Sequence, residues 1–182
     1  MKNKVDLSIY SHVVFNSTLK KLRYFSWLCI SNMFFLTNIP FPQKFKVLVL
    51  KFFGANIGKK CVIKPWVKIK FPWELSLGDH VWLGEEVWID NISNVQIGNN
   101  VCISQGAMLL TGNHRYDKID FALETKPIII EDGVWICAKA IILGGIKLEN
   151  HAVVGLACVA KNDLAPYSIL QASGDIKIRT ID

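Results

Sequence analysis

From Ile57 onward a large apolar residue returns at every sixth position: Ile57, Ile63, Ile69, Leu77, Leu83, Ile89, Ile97, Ile103 and Leu109. After an interruption the series resumes at Ile130, Ile136, Ile142, Leu148, Val154 and Ala160. Fourteen of these fifteen positions hold Ile, Leu or Val, which chance does not sustain over such a length. A period of six fits neither the helical repeat nor the strict alternation of a hairpin strand. It fits one flat side of a triangular parallel β-helix, three short strands making one coil. The fifth position of each repeat is small or β-branched (Cys61, Val67, Val81, Val87, Ala107, Ala140, Ala152), as a crowded corner requires. The second is often Gly (Gly58, Gly78, Gly84, Gly98, Gly155), expected to permit tight turning. Residues 57–165 are therefore predicted to form an all-β solenoid of about five coils. The first two coils carry two extra residues each in their third turn, a shared irregularity that supports the register.

The flanks read differently. Residues 1–56 mix helical spacing (Leu19, Leu22, Phe25, Leu28) with a run free of charge from Tyr24 to Gln43. Its length tempts a membrane-spanning reading. Ser26, Ser31, Asn32, Thr37, Asn38, Pro40 and Pro42 argue for helices packed on the prism, with contact at a membrane surface as the alternative. A stacked solenoid also needs its last coil capped, a role expected of residues 166–182. The interruption, Arg115 to Pro127, is a loop thrown out of a rigid scaffold, where function tends to sit.

Composition narrows the class. Charged residues make up 20% of the 182 and hydrophobic ones 51%, which excludes general disorder and suggests a chain that associates. The net charge of +6 comes without the Lys/Arg runs or interleaved aromatics of a nucleic-acid binder; a phosphate-bearing ligand or an anionic surface fits it as well. Five scattered cysteines (Cys29, Cys61, Cys102, Cys137, Cys158), with no CxxC pair and no secretory signal, point to a reducing, cytoplasmic setting. They read as small apolar fillers, and no metal site is expected.

The stretches IPFP (39–42), KFPW (70–73), VWIDN (87–91), CISQGA (102–107) and TGNH (111–114) resemble the hexapeptide-repeat acyltransferases, and among them the colanic acid biosynthesis acetyltransferases. The resemblance spans nearly the whole chain. It implies a left-handed parallel β-helix, a homotrimer with sites between subunits, and acetyl-CoA as donor. It also implies a sugar hydroxyl of an exopolysaccharide or lipopolysaccharide precursor as acceptor, free or lipid-linked. His114, which closes TGNH, corresponds to the histidine that removes the hydroxyl proton in one direct transfer. Imidazole titrates in the range that role needs. His80, His151 and His12 lack such context and read as structural or exposed. Asp90, Asn91 and Glu86 are the candidates to orient the imidazole or meet the acceptor, and Asn113 stands beside it.

On the donor side, the resemblance makes the backbone N–H of Ala138 the oxyanion donor. Trp135 corresponds to the Trp of the turn after the excursion, a cofactor contact or plain interface packing, and Gly155 and Leu156 to backbone positions along the pantetheine arm. Lys161, Asn162, Lys177 and Arg179 are the candidates for the nucleotide end. One departure is Ala172-Ser173-Gly174-Asp175, where many members have Gly, Asn, Pro, Ala. Three other readings share the scaffold: an N-acetyltransferase acting on an amino sugar, a γ-type carbonic anhydrase, and a non-catalytic scaffold. The carbonic anhydrase needs three zinc-binding histidines, and no second histidine follows His114 through Pro127.

Overall fold

The computed structural model describes residues 4–11 and 17–181; His12 lies outside them. The sixfold period becomes a parallel β-solenoid with three walls. The first wall stacks Asn56–Ile57, Leu75–Leu77, Val95–Ile97, Ile128–Ile130 and Lys147–Leu148 in parallel. The second stacks Val62–Ile63, Trp82–Leu83, Cys102–Ile103, Trp135–Ile136 and Val153–Val154. Lys68–Ile69, Trp88–Asp90, Met108–Leu110, Ile141–Leu143 and Val159–Ala160 form the third. All fifteen repeat-start residues are buried and meet along the prism axis. That is the burial that an every-sixth apolar pattern demands.

The turns correct one expectation. None of the second-position glycines is a turn residue of left-handed backbone; that role falls on the fourth position, where Lys60, Trp66, His80, Glu86, Asn100, Lys139, His151 and Ala157 all have φ between 54° and 61°. Glycine is needed at the second position because the next coil comes too close. A Cβ on Gly84 would stand 2.7 Å from the Gln105 nitrogen, and one on Gly155 2.6 Å from the Leu170 carbonyl oxygen. The third position of the corner between the first and second walls adds a polar ladder. Asp79, Asn99, Asp132 and Asn150 each use Oδ1 to accept the backbone N–H of Lys59, Asp79, Asn99 and Asp132 in the coil before, at 2.7–3.1 Å.

Helices close the open end of the first coil. Helices α1 (Thr18–Phe34) and α2 (Gln43–Phe52) flank the Pro40–Pro42 link. Gln43 Oε1 accepts the Ile63 N–H (2.7 Å), the buried Lys46 Nζ donates to the Ile63 carbonyl (3.1 Å), and Trp27 Nε1 donates to that of Ile69 (2.8 Å). These side chains occupy the groups on which another strand would otherwise build. Burial pushes the Lys46 ammonium below its usual range. No helix among the described residues is long and apolar enough to cross a membrane.

At the far end the chain begins a sixth coil before it stops. Leu164 bridges to Leu148, and Ser168–Leu170 continues the second wall in parallel. The departure at Ala172–Asp175 forms a reversal with Gly174 at φ 89°, and Ile176–Ile178 returns antiparallel as the outer edge.

Candidate active site

The excursion is a hairpin rooted in a corner that is already irregular. At the corner between the third and first walls, coils one and two carry their two extra residues. Asn91, fully buried, accepts the Phe71 N–H (3.0 Å) and donates to the Phe71 carbonyl (2.6 Å). Twenty residues on, the buried Thr111 donates its hydroxyl to the Asp90 carbonyl (2.9 Å) and accepts the Ser93 N–H (3.1 Å). The TGNH segment thus starts on the third rung of this corner, where the chain leaves the prism. Gly112–His114 then pairs antiparallel with Leu123–Thr125.

His114 is held by its own hairpin. Its Nδ1 lies 2.9 Å from the Phe121 carbonyl oxygen, an atom that only accepts, so in the neutral ring Nδ1 carries the hydrogen and Nε2 the lone pair. The imidazole stacks on the Phe121 ring with centroids 4.4 Å apart and planes within 6°. Tyr10 approaches it at 5.6 Å. Phe121 has φ 48°, an unusual conformation for a non-glycine residue, which the hairpin imposes at the residue supplying the carbonyl. At the tip Arg115 and Asp117 form an ion pair (2.8 Å), and the guanidinium beside Asp117 lowers its carboxyl to about 2.

Among the described residues, none of the carboxylates and amides expected to orient the imidazole bonds to it. Asn91 spends its amide on Phe71. Asp90 pairs with Lys70 (2.8 Å) and borders the cavity beneath α1. Glu86 sits at the corner between the second and third walls, beside Trp66, Trp88 and Lys139. The group that Nδ1 meets within the chain is a backbone carbonyl, which leaves no residue type to find in a sequence.

Side chains alternate across a hairpin, so its two faces border different spaces. His114 shares a face with Leu123 and Thr125, and these two line a cavity of about 560 Å³ closed by Ile9, Ser11, Lys20, Arg23, Trp73, Glu74, Ile92 and Asp120. The Arg23 guanidinium lies 4.3 Å over the Trp73 ring. Asn113 and Glu124 take the opposite face and, with Lys126, Gly144 and Lys161, border a groove of about 360 Å³. Lys161 and Asn113 are thus brought together, and Asn162 follows Lys161 on the exposed surface.

The remaining candidates stand at another corner. Trp135, 45% exposed, lies on the second wall and donates Nε1 to Ser104 Oγ (3.0 Å). Ala138 and Leu156 occupy the turn between the second and third walls, one coil apart, joined by the Ala157 N–H to Ala138 carbonyl bond. Among the described residues no acceptor takes the Ala138 N–H. Gly155 is explained by coil contact. Lys177 is exposed on the last strand, whereas Arg179 donates to the carbonyls of Gly133 (3.4 Å) and His151 (3.1 Å), tying the tail to the prism. No hydrogen bond among the described residues links His114 to Trp135 or Ala138. No group of three metal-ligating side chains occurs among the described residues. Cys61 and Cys158 are buried fillers, Cys102 and Cys137 are half-buried, and Cys29 is exposed.

Comparison with known proteins gives the same architecture. No family model matches the chain. It is 33% identical over 153 residues to the protein of Escherichia coli K12 named colanic acid biosynthesis acetyltransferase WcaF, spanning 84% of each. The fold matches the hexapeptide-repeat acetyltransferase VCA0836 of Vibrio cholerae, solved with acetyl coenzyme A, with TM-score 0.77 and 21% identity over 90% of this chain and 88% of that one. It also matches a maltose O-acetyltransferase from Clostridium difficile, TM-score 0.77 and 15% identity over 92% and 91%. With this identity over most of both sequences, on a solenoid with a histidine-bearing hairpin, the chain belongs to the hexapeptide-repeat acetyltransferase family.

Proposed function

We propose that the protein transfers the acetyl group of acetyl-CoA to a hydroxyl of a sugar in an exopolysaccharide or lipopolysaccharide precursor, with His114 as general base. The observation that carries this reading is the bond from His114 Nδ1 to the Phe121 carbonyl, because it leaves Nε2 as the basic nitrogen. Nε2 takes the hydroxyl proton as the alcohol oxygen bonds to the thioester carbon. As the carbon–sulfur bond breaks, Nε2 gives that proton to the departing sulfur. The Ala138 N–H, with no acceptor among the described residues, is suited to the charge that builds on the carbonyl oxygen.

His114 and Ala138 belong to different corners of one prism. A site that uses both takes its hairpin from one copy and its Ala138 corner from the next, which supports a homotrimer with sites between subunits. On the second copy Trp135, Gly155 and Leu156 border the donor arm, while Lys161 and Asn162 beside the hairpin, and Lys177 on the last strand, offer polar and cationic groups to the phosphates. The cavity on the His114 face of the hairpin has the size of a small-ligand site and carries charged groups of both signs.

Thiol release from acetyl-CoA, measured against a panel of neutral sugars and amino sugars, tests this reading. Turnover with hydroxyl acceptors is the expected result. Transfer confined to amines assigns N-acetylation instead, and coenzyme A binding without turnover on any acceptor contradicts the reading.

A further inference from the structure

The helical end carries a second surface, with no part in the chemistry above. The face of α1 turned from the first coil presents Leu22, Phe25 and Met33, exposed by 60%, 63% and 60%. The corresponding face of α2 presents Leu48 and Phe52, exposed by 66% and 84%. Lys21 flanks the first stripe, and Lys44 and Lys51 share the second face with Leu48 and Phe52, all exposed.

Charge along the chain is divided sharply. The first 73 residues hold thirteen of the 21 Lys and Arg but one of the 15 acidic residues, and none of the latter falls between Leu7 and Trp73. The rest of the chain is net acidic. A face that is apolar at its centre, cationic at its margins and free of carboxylates across two helices is matched by an anionic lipid surface. Two such faces from two copies would set like charge against like.

We infer that the outward faces of α1 and α2 form a docking surface for an anionic bilayer: Phe25, Leu48 and Phe52 enter the interface and Lys21, Lys44 and Lys51 meet the lipid phosphates. No spanning is involved. Such docking would set the solenoid upright on the membrane and bring lipid-linked saccharides within range of the hairpin.

Flotation of the full chain tests this with vesicles of phosphatidylglycerol and phosphatidylethanolamine against vesicles of phosphatidylcholine. The bound fraction is expected to be about tenfold or more higher on the anionic vesicles and to fall as salt is added. The pair Phe25→Ser with Phe52→Ser, and separately Lys44→Glu with Lys51→Glu, should each lose that binding while keeping the melting temperature and the thiol-release rate. No flotation with either vesicle overturns the inference, as does equal, salt-independent flotation with both. A serine pair that lowers the oligomeric state in sedimentation, where the wild type ignores vesicles, also overturns it and assigns the face to contact between copies. Because flotation needs no turnover, failure here is distinct from failure of the acetyl-transfer reading.

Discussion

His114 and Phe121 form a closed pair: the imidazole lies flat on the phenyl ring at 4.4 Å while its Nδ1 donates to the carbonyl of the same residue at 2.9 Å. One residue therefore fixes both the plane of the imidazole and its tautomer. A carboxylate in that position would hold the ring too, but it would also favour the imidazolium; a neutral carbonyl orients it without adding charge.

Phe121→Ala keeps the carbonyl and removes the stacking surface. The imidazole then gains freedom to rotate, and kcat should fall by about tenfold with KM for acetyl-CoA little changed. Long-range proton–nitrogen NMR on the neutral ring should find the hydrogen on Nδ1 in the wild type. A ring protonated on Nε2 would contradict the pairing.

Asn91 binds both backbone groups of Phe71 inside the corner that supports the hairpin. Asn91→Ala removes both bonds to Phe71, whose carbonyl keeps the Glu74 N–H (3.0 Å), and should cost roughly 1–3 kcal/mol of stability. Thermal melting checks this. At a temperature where the variant stays folded its turnover should remain near wild type, since Asn91 has no exposed atom to offer an acceptor.

Asp132 accepts the Asn99 N–H, and that bond holds its carboxyl below the ordinary 3.8. The folded state therefore binds its proton less readily than the unfolded chain does. The stabilisation is present above pH 3.8 and is lost as the pH falls through the depressed folded value. Asp132→Asn preserves an Oδ1 acceptor without a titrating group. Its melting temperature should decline less steeply at acid pH than that of the wild type; parallel declines would assign the acid sensitivity elsewhere.

Most of the prism was legible because its physics is periodic: one apolar residue every sixth position fixes the coil count, the walls and the place of the interruption. The site was less so. His114 stood out through its TGNH setting, yet its orienting partner is a carbonyl seven residues on, which any residue type could supply. Asn91 looked available because stacking brings it near the hairpin; only the buried path of coils one and two reveals that Phe71 consumes it. The division of His114 from Ala138 follows from which corner each turn occupies, a property of three dimensions. The second-position glycines show the same limit, since their cause is the neighbouring coil rather than their own backbone.

The most direct measurement is the turnover of His114→Ala in thiol release, taken beside its affinity for acetyl-CoA. The variant should lose about 100-fold or more in kcat with donor affinity unchanged. Wild-type turnover in that variant would contradict this and remove His114 from the chemistry.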